Sequence, residues 1–298
     1  MPHPLSTTFS TVRDLLRYAV SRFTEAQLAF GHGSANAYDE AAYLILHSLH
    51  LPLDLLDPFL DARLTPAEID TVLAVIDRRA DERVPAAYLT NEAWMHGLRF
   101  YVDERVIVPR SFIGELLADG LQPYVEDPEQ VCAVLELCTG SASLAILAAH
   151  AFPNADIDAV DLSAPALEVA HRNVHEHGLD ERIALFEGDL FAPLAERRYD
   201  VILTNPPYVN AESMQALPPE YRHEPEMALA GGADGMDLVR RILAQARNWL
   251  TEDGILVVEI GNERENVEAA FGGLDLVWLS TSAGDDQVFL IQAKDLPV

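Results

Sequence analysis

The residues with the clearest chemical potential are Asn205, Pro206, Pro207 and Tyr208, which follow the apolar run YDVILT (199–204). That run reads as a buried strand, and the carboxyl ends of strands are where open α/β sheets place their ligands. The four residues suit a planar –NH2 group, whose two N–H donors need two acceptors. The Asn205 side-chain oxygen can supply one and the Pro206 carbonyl the other. Pro206 and Pro207 fix φ and stiffen the loop. Tyr208 offers a ring face on which a flat amide or base can stack. A nitrogen held this way can aim its lone pair at an electrophilic methyl group. Two prolines after a strand are also ordinary turn chemistry, so the reading leans on the Asn and the aromatic that flank them.

Three upstream stations point to a nucleoside. The segment ELCTGSAS (136–143) ends one strand and opens a helix, and its small residues let backbone N–H groups approach a ligand closely. It is not a dinucleotide fingerprint, because it lacks G-x-G-x-x-G. Asp161 closes the next strand, where a carboxylate can accept both ribose hydroxyls; its alternative role is a helix cap ahead of Ser163 and Pro165. Gly188, Asp189 and Leu190 end a third strand, well placed to grip an adenine edge.

The elements that must carry these stations follow from periodicity. From about residue 111 the pattern alternates strand and helix. Strands are expected at 131–137, 156–160, 183–187, 199–204, 255–259, 274–280 and 287–292, and helices at 143–151, 164–177, 235–250 and 264–271. Such alternation implies a mostly parallel sheet covered on both faces. The loop TSAGDD (281–286) is too short for a crossover helix, so the last strand should run antiparallel. Residues 94–108 read as a connecting hairpin of short strands around the turn candidate His96-Gly97, stopped by Pro109. Residues 1–90 read as helices only, over 10–30, 37–49 and from 65 onward. The last begins with Thr65 as cap, Pro66 in the first turn and Glu68 closing a capping box. The domains expected are therefore a helical domain over 1–90, a hairpin connector over 91–110 and a catalytic α/β domain over 111–298.

Composition removes other classes. The chain has 298 residues, 48 acidic against 20 basic, for a net charge of −28. Lys294 is the sole lysine; the remaining bases are arginines. Such a surface repels nucleic-acid phosphates and anionic lipid, so direct nucleic-acid or membrane binding is not expected. It would attract a basic partner, and it is equally what a salt-adapted cell would select for solvation. Uninterrupted apolar runs are short, as at 41–46 and 144–149, and none spans a bilayer. The start MPHPLSTTFSTVRDLL has no basic-then-apolar secretory pattern, and Cys132 and Cys138 make neither a disulfide framework nor a zinc pair, so a cytoplasmic protein is expected. His171 and His175 stand four apart on a helix but lack an evident third ligand, and read as a solvated face.

The turn, Asp161, Asp189 and the NPPY tetrapeptide together resemble the class I S-adenosylmethionine-dependent methyltransferases that act on exocyclic or amide nitrogen. NPPY is shared by adenine-N(6) DNA methyltransferases and protein glutamine N(5)-methyltransferases. The stretches FYVDERVIVPRSFIGELL (100–117), LPPEYRHEPEMALAGGADGMDLVRRIL (217–243) and VVEIGNE (257–263) are similar to the glutamine group. Within it, VPRS and EYRHEP look most like the branch acting on the third protein of the large ribosomal subunit. The release-factor branch usually has PRPxTE where this chain has PRSFIGE (109–115).

The resemblance implies a Rossmann-like seven-stranded sheet with its last strand antiparallel, S-adenosylmethionine as cofactor, no metal, and a basic ribosomal protein as substrate. It assigns cofactor contacts to Glu136, Cys138, Thr139, Gly140, Ser141, Ala142, Asp161, Leu162, Asp189, Leu190 and Asn205. It assigns catalysis to Asn205, Pro206, Pro207 and Tyr208, and substrate contacts to these four with Arg110, Tyr221 and His223. The residues alone leave Arg110 open between substrate and an acidic neighbour, and EYRHE (220–224) open between substrate contact and surface loop. The chain departs from the family's usual CTGSG turn at Ala142 and from its usual proline at Phe112. If φ at Ala142 must be positive, the methyl costs on the order of 1 kcal/mol. A release factor, an adenine base and a non-catalytic acidic binding role are the competing readings.

Overall fold

The computed structural model describes residues 3–297; Met1, Pro2 and Val298, at the outer ends of the expected domains, lie outside them. The chain forms two compact units. One holds the residues up to Ala93 together with Pro218–His223, and the other holds Trp94–Leu217 and Glu224–Val298.

The first unit is built of α1 (Val12–Glu25), α2 (Ala37–Ser48), α3 (Pro66–Asp81) and the short α4 (Ala86–Thr90). Thr65 caps α3 through a capping box with Glu68, with Pro66 in the first turn, as its sequence requires. Leu15, Phe23, Leu44, Ile45, Leu73 and Ile76 fill the core from three helices. One buried charge cluster interrupts it. Arg79 Nε meets Glu40 Oε1 at 2.6 Å, with both side chains 1% exposed. Glu220, from the segment that returns to this unit, is fully buried and takes Arg83 Nη1 and the Ala29 N–H, each at 3.1 Å. Charges taken this far from water persist only when paired in this way.

A hairpin of β1 (Ala93–Met95) and β2 (Leu98–Phe100) opens the second unit, its first residue, Ala93, counting with the first. Its turn residues His96 and Gly97 both have positive φ, +48° and +78°, the geometry that matches strand twist. Then follow α5 (Ile113–Ala118), β3 (Ala133–Leu137), α6 (Ser143–Ala151), β4 (Asp156–Asp161), α7 (Ala164–Glu176), β5 (Ile183–Glu187), β6 (Tyr199–Thr204), α8 (Ala211–Ala216), α9 (Asp237–Ala246), β7 (Leu250–Glu259), α10 (Arg264–Phe271), β8 (Val277–Thr281) and β9 (Gly284–Gln292). The sheet order is β5-β4-β3-β6-β7-β9-β8. The pairs from β5 through β7 are parallel, and β9 is antiparallel to both its neighbours. Alternate residues serve opposite faces: Val134 joins the core containing α6 and α7, and Leu135 the core containing α9. The central strand β3 is buried throughout, whereas the edge strands β5 and β8 are partly exposed.

Register does the positioning. Leu137 pairs with Val160 on one side and Thr204 on the other, and Asp161 pairs with Glu187. The four strands therefore end level, which brings the residues that follow them to one edge.

Several element boundaries differ from expectation. Residues 102–108 form no strand; they run as an irregular strap with Val102, Val106 and Val108 buried. Alternation of buried valines mimics a strand there, but among the described residues the segment joins neither sheet. The helix at 235–250 stops at Ala246, and β7 starts at Leu250 rather than 255, with a register irregularity between Tyr199 and Val201. The last hairpin is tighter than the sequence suggests, since β8 reaches Thr281 and β9 starts at Gly284.

Candidate active site

The turn after β3 is wound left-handed at three places: Cys138 at φ +59°, Gly140 at +55° and Ala142 at +62°. Only Gly140 is free of the usual penalty for an L residue in that region. The shape is held from beneath by Glu136, 2% exposed, which accepts the Thr139 hydroxyl and, at 2.9 Å, the Ala145 N–H. Burial pushes the Glu136 carboxyl up to about 8. The Thr139 N–H donates to the Val160 carbonyl at 3.0 Å, tying the turn to β4. Asp161 completes the tie. Its Oδ2 accepts the Gly140 N–H at 2.7 Å and its Oδ1 the Ser163 N–H at 2.8 Å. Burial raises its pKa above the ordinary carboxylate value. The cap of α7 is Ser163, whose hydroxyl accepts from the Ala166 N–H, so Asp161 is not occupied as a helix cap.

These stations surround one pocket. Cys138 and Gly140 line it from the turn, Asp161 and Leu162 from β4, Gly188, Asp189 and Leu190 from β5, and Asn205 and Pro207 from β6. Leu190 also has positive φ, +52°. Asp189 is half exposed and pairs with Arg241 Nη2 at 2.7 Å. Arg105, Val106 and Ile107, from the strap, and Met227 supply walls that sequence reasoning missed. Arg105, Val106 and Ile107 fall in a segment that the sequence presents as a strand, and Met227 carries no local signal of a wall. Leu162 and Met227 stay 59% and 51% exposed, leaving apolar surface at the pocket. Glu136, Thr139, Ser141 and Ala142 do not line it; they shape the turn from which Cys138 and Gly140 do.

The NPPY loop leaves β6 just after Thr204, whose hydroxyl donates to the Leu137 carbonyl at 3.1 Å. Val209 exchanges backbone hydrogen bonds with the 229–231 segment, its N–H donating to Leu229 O and its carbonyl accepting from Gly231 N–H, each at 2.9 Å. Backbones meet here too closely for side chains. A methyl on Gly231 would lie 2.7 Å from Tyr208 Cα and 2.8 Å from the Pro207 oxygen. A methyl on Gly261, at φ +51°, would lie 2.6 Å from Tyr208 Cε2. The Tyr208 ring is thus set against the backbone that follows β7.

The other similar stretches lock to one another. Arg110 binds Glu224 through both terminal nitrogens, Nη2 to Oε2 at 2.8 Å, and Glu224 also accepts the Val108 N–H at 2.9 Å. Glu259 Oε2 accepts the Ser111 hydroxyl at 2.6 Å and the Phe112 N–H at 2.8 Å. Burial pushes Glu259 up to about 7 even so. Arg110 therefore pairs with its acidic neighbour. EYRHE is not a solvated loop either, since Glu220 and Glu224 are both buried. In the helical unit Tyr221 packs on His32, ring centroids 4.4 Å apart, and His223 Nε2 meets the Glu82 carbonyl at 2.9 Å. His175 faces Asp180, and no group of three metal-binding side chains occurs among the described residues. No helix among them is long and apolar enough to cross a membrane.

Residues 115–217 match the family of the methyltransferase small domain. A ribosomal protein uL3 glutamine methyltransferase of Burkholderia pseudomallei is 76% identical, over 98% of this chain and 97% of its own. The protein of the same name from Bordetella pertussis is 63% identical, over 96% of each chain. Among solved structures, the hMettl16 catalytic domain, crystallised with an RNA hairpin, is similar over 74% of this chain and 78% of its own, with a TM-score of 0.50 and 12% identity. That last likeness is one of fold, the class I methyltransferase sheet with its antiparallel strand.

Proposed function

The chain belongs to the family of ribosomal protein uL3 glutamine methyltransferases, and we propose that it methylates the side-chain amide nitrogen of one glutamine in uL3. Its methyl donor is S-adenosylmethionine. The pocket's residues fit that group: an apolar lining from Val160, Leu162, Leu190 and Met227, with the part-buried Asp161 carboxylate as its polar anchor. When bound, the cofactor supplies a methyl group made electrophilic by its sulfonium.

The residues of this chain do the rest by placement. An amide nitrogen is a poor nucleophile, because its lone pair is delocalised into the carbonyl. Fixing both of its N–H bonds orients that lone pair, and this is the role of the Asn205 side-chain oxygen and the Pro206 carbonyl. Among the described residues no hydrogen bond holds the Asn205 side chain, so it is available to the substrate. Tyr208, set against Gly261, gives the flat amide a ring to lie on. The proton lost after transfer departs by the Asn205 or Pro206 oxygen. Asp161 and the turn hold the nucleoside end.

The observation that carries the proposal is that Asn205 and Pro207 line the same pocket as Gly140, Asp161 and Asp189, at the level ends of four parallel strands. The net charge of −28 suits a basic ribosomal protein as partner. The test is a parallel incubation of the enzyme and labelled S-adenosylmethionine with purified uL3, release factors and DNA, followed by mass mapping. Label on a single uL3 glutamine supports the proposal. Label on a release-factor glutamine or on adenine overturns it.

A further inference from the structure

Asn173 is a polar residue on the buried face of α7, 1% exposed among Leu167, Ala170 and Val174. Its side chain makes three hydrogen bonds, all to backbone. Oδ1 accepts the Tyr101 N–H at 2.7 Å; Nδ2 donates to the Tyr101 carbonyl at 3.0 Å and to the Ser141 carbonyl at 2.9 Å. One amide thus grips two segments that are distant in sequence. Tyr101 immediately precedes the strap whose Arg105, Val106 and Ile107 wall the pocket, and Ser141 lies in the turn whose Cys138 and Gly140 form another wall.

The same helix holds the strap at two further points. Arg172 lies 3.6 Å above the Tyr101 ring. Glu168 Oε2 takes Arg105 Nη1 at 2.6 Å, while Arg105 Nε and backbone N–H both donate to Asp103 Oδ1, at 2.8 and 3.1 Å. The Tyr101 hydroxyl donates to Asp103 Oδ2 at 2.9 Å. The strap joins no strand among the described residues, and these contacts, together with the Val108 N–H bond to Glu224, are among those that fix its place. Only a carboxamide can satisfy one N–H and two carbonyls at once; a carboxylate would face two carbonyl oxygens with no proton to give.

We propose that Asn173 is a positioning residue for cofactor binding, which fixes the spacing between the 101–107 segment and the 138–142 turn so that both walls of the pocket stand ready before the cofactor arrives. Preorganisation of this kind acts on affinity, since ordering two segments on binding would otherwise oppose it. This rests on the pocket's being the cofactor site, as proposed above.

The test measures S-adenosylmethionine affinity by calorimetry, with kcat and both Michaelis constants, in the full chain. Asn173→Ala should raise the cofactor Kd and KM by about tenfold, with kcat and the protein KM changed by less than about threefold. Arg172→Ala, which removes a half-exposed side chain that covers the Tyr101 ring and pairs with Glu176 at 2.7 Å on the same helix, should raise the cofactor KM by roughly threefold without loss of folding. Hydrogen exchange of the 101–107 amides without cofactor should be faster in Arg172→Ala than in the wild type. A purely structural Asn173 would instead lower the unfolding temperature and leave the cofactor affinity of the folded fraction unchanged, and that result overturns the proposal. If Asn173→Ala does not fold, unchanged cofactor affinity in Arg172→Ala together with unchanged exchange in the strap overturns it. Asp161→Ala separates the two readings. Unchanged affinity in that variant means the pocket itself is misassigned; weakened affinity there, with normal affinity in Asn173→Ala, removes the strap proposal alone.

Discussion

Asp161, in the pocket, and Ala142, in the turn behind it, show opposite relations between sequence and geometry. Asp161 was legible as a carboxylate at a strand end, but its alternative as a helix cap could be removed only by seeing Ser163 cap α7 and Gly140 donate to Asp161. Asp161→Ala should weaken S-adenosylmethionine binding by roughly 1–3 kcal/mol in calorimetry, the scale of a hydrogen bond to a charged group. Ala142 was legible as a departure whose effect depended on φ, and φ is +62°. Ala142→Gly should therefore stabilise the fold by about 1 kcal/mol in denaturant unfolding, less whatever the added freedom of glycine returns to the unfolded chain. An unchanged midpoint would mean that the turn relieves the strain elsewhere. Arg110 was open between two partners in the sequence, because a charge pair across more than a hundred residues leaves no local pattern; the structure shows the pair with Glu224.

At the scale of elements, the sheet was readable because its strands are short apolar runs separated by helices, and the carboxyl edge followed from alternation alone. The strap at 102–108 was misread, since buried valines two apart look like a strand whether or not a neighbour exists to pair with them. The contacts around Tyr208 were not readable either: a glycine gives no sign of which backbone it lets approach. Gly261→Ala places a methyl 2.6 Å from Tyr208 Cε2 at a φ of +51°, so the ring must move. Turnover should fall by about tenfold or more with the cofactor Kd near normal. The buried Glu259 carries a pH dependence of the same framework. Its pKa is raised from an ordinary 4.5 to about 7 by burial, so the folded state binds more protons than the unfolded state between those values. Its contribution to stability is full below pH 4.5 and is lost as pH rises through about 7. Glu259→Gln should flatten the pH profile of unfolding free energy in that window; an equally steep profile would assign the slope to another group.

For the whole molecule, charge and connectivity matter most. Excess acidity of −28 should steer a basic substrate, so the association rate with uL3 should fall as salt rises. A rate indifferent to salt would leave the acidity as solvation only. The helical unit is our candidate for substrate selection; Pro218–His223 belong to it, while the residues before and after them in the chain belong to the α/β unit. The most direct measurement of the central claim is methyl transfer to free uL3 by wild type and Asn205→Ala, read by mass mapping, with cofactor affinity measured on the same preparations. The account predicts one modified glutamine with the wild type, turnover reduced by about 100-fold or more in the variant, and cofactor affinity close to normal in both. Near-normal turnover by Asn205→Ala would contradict it.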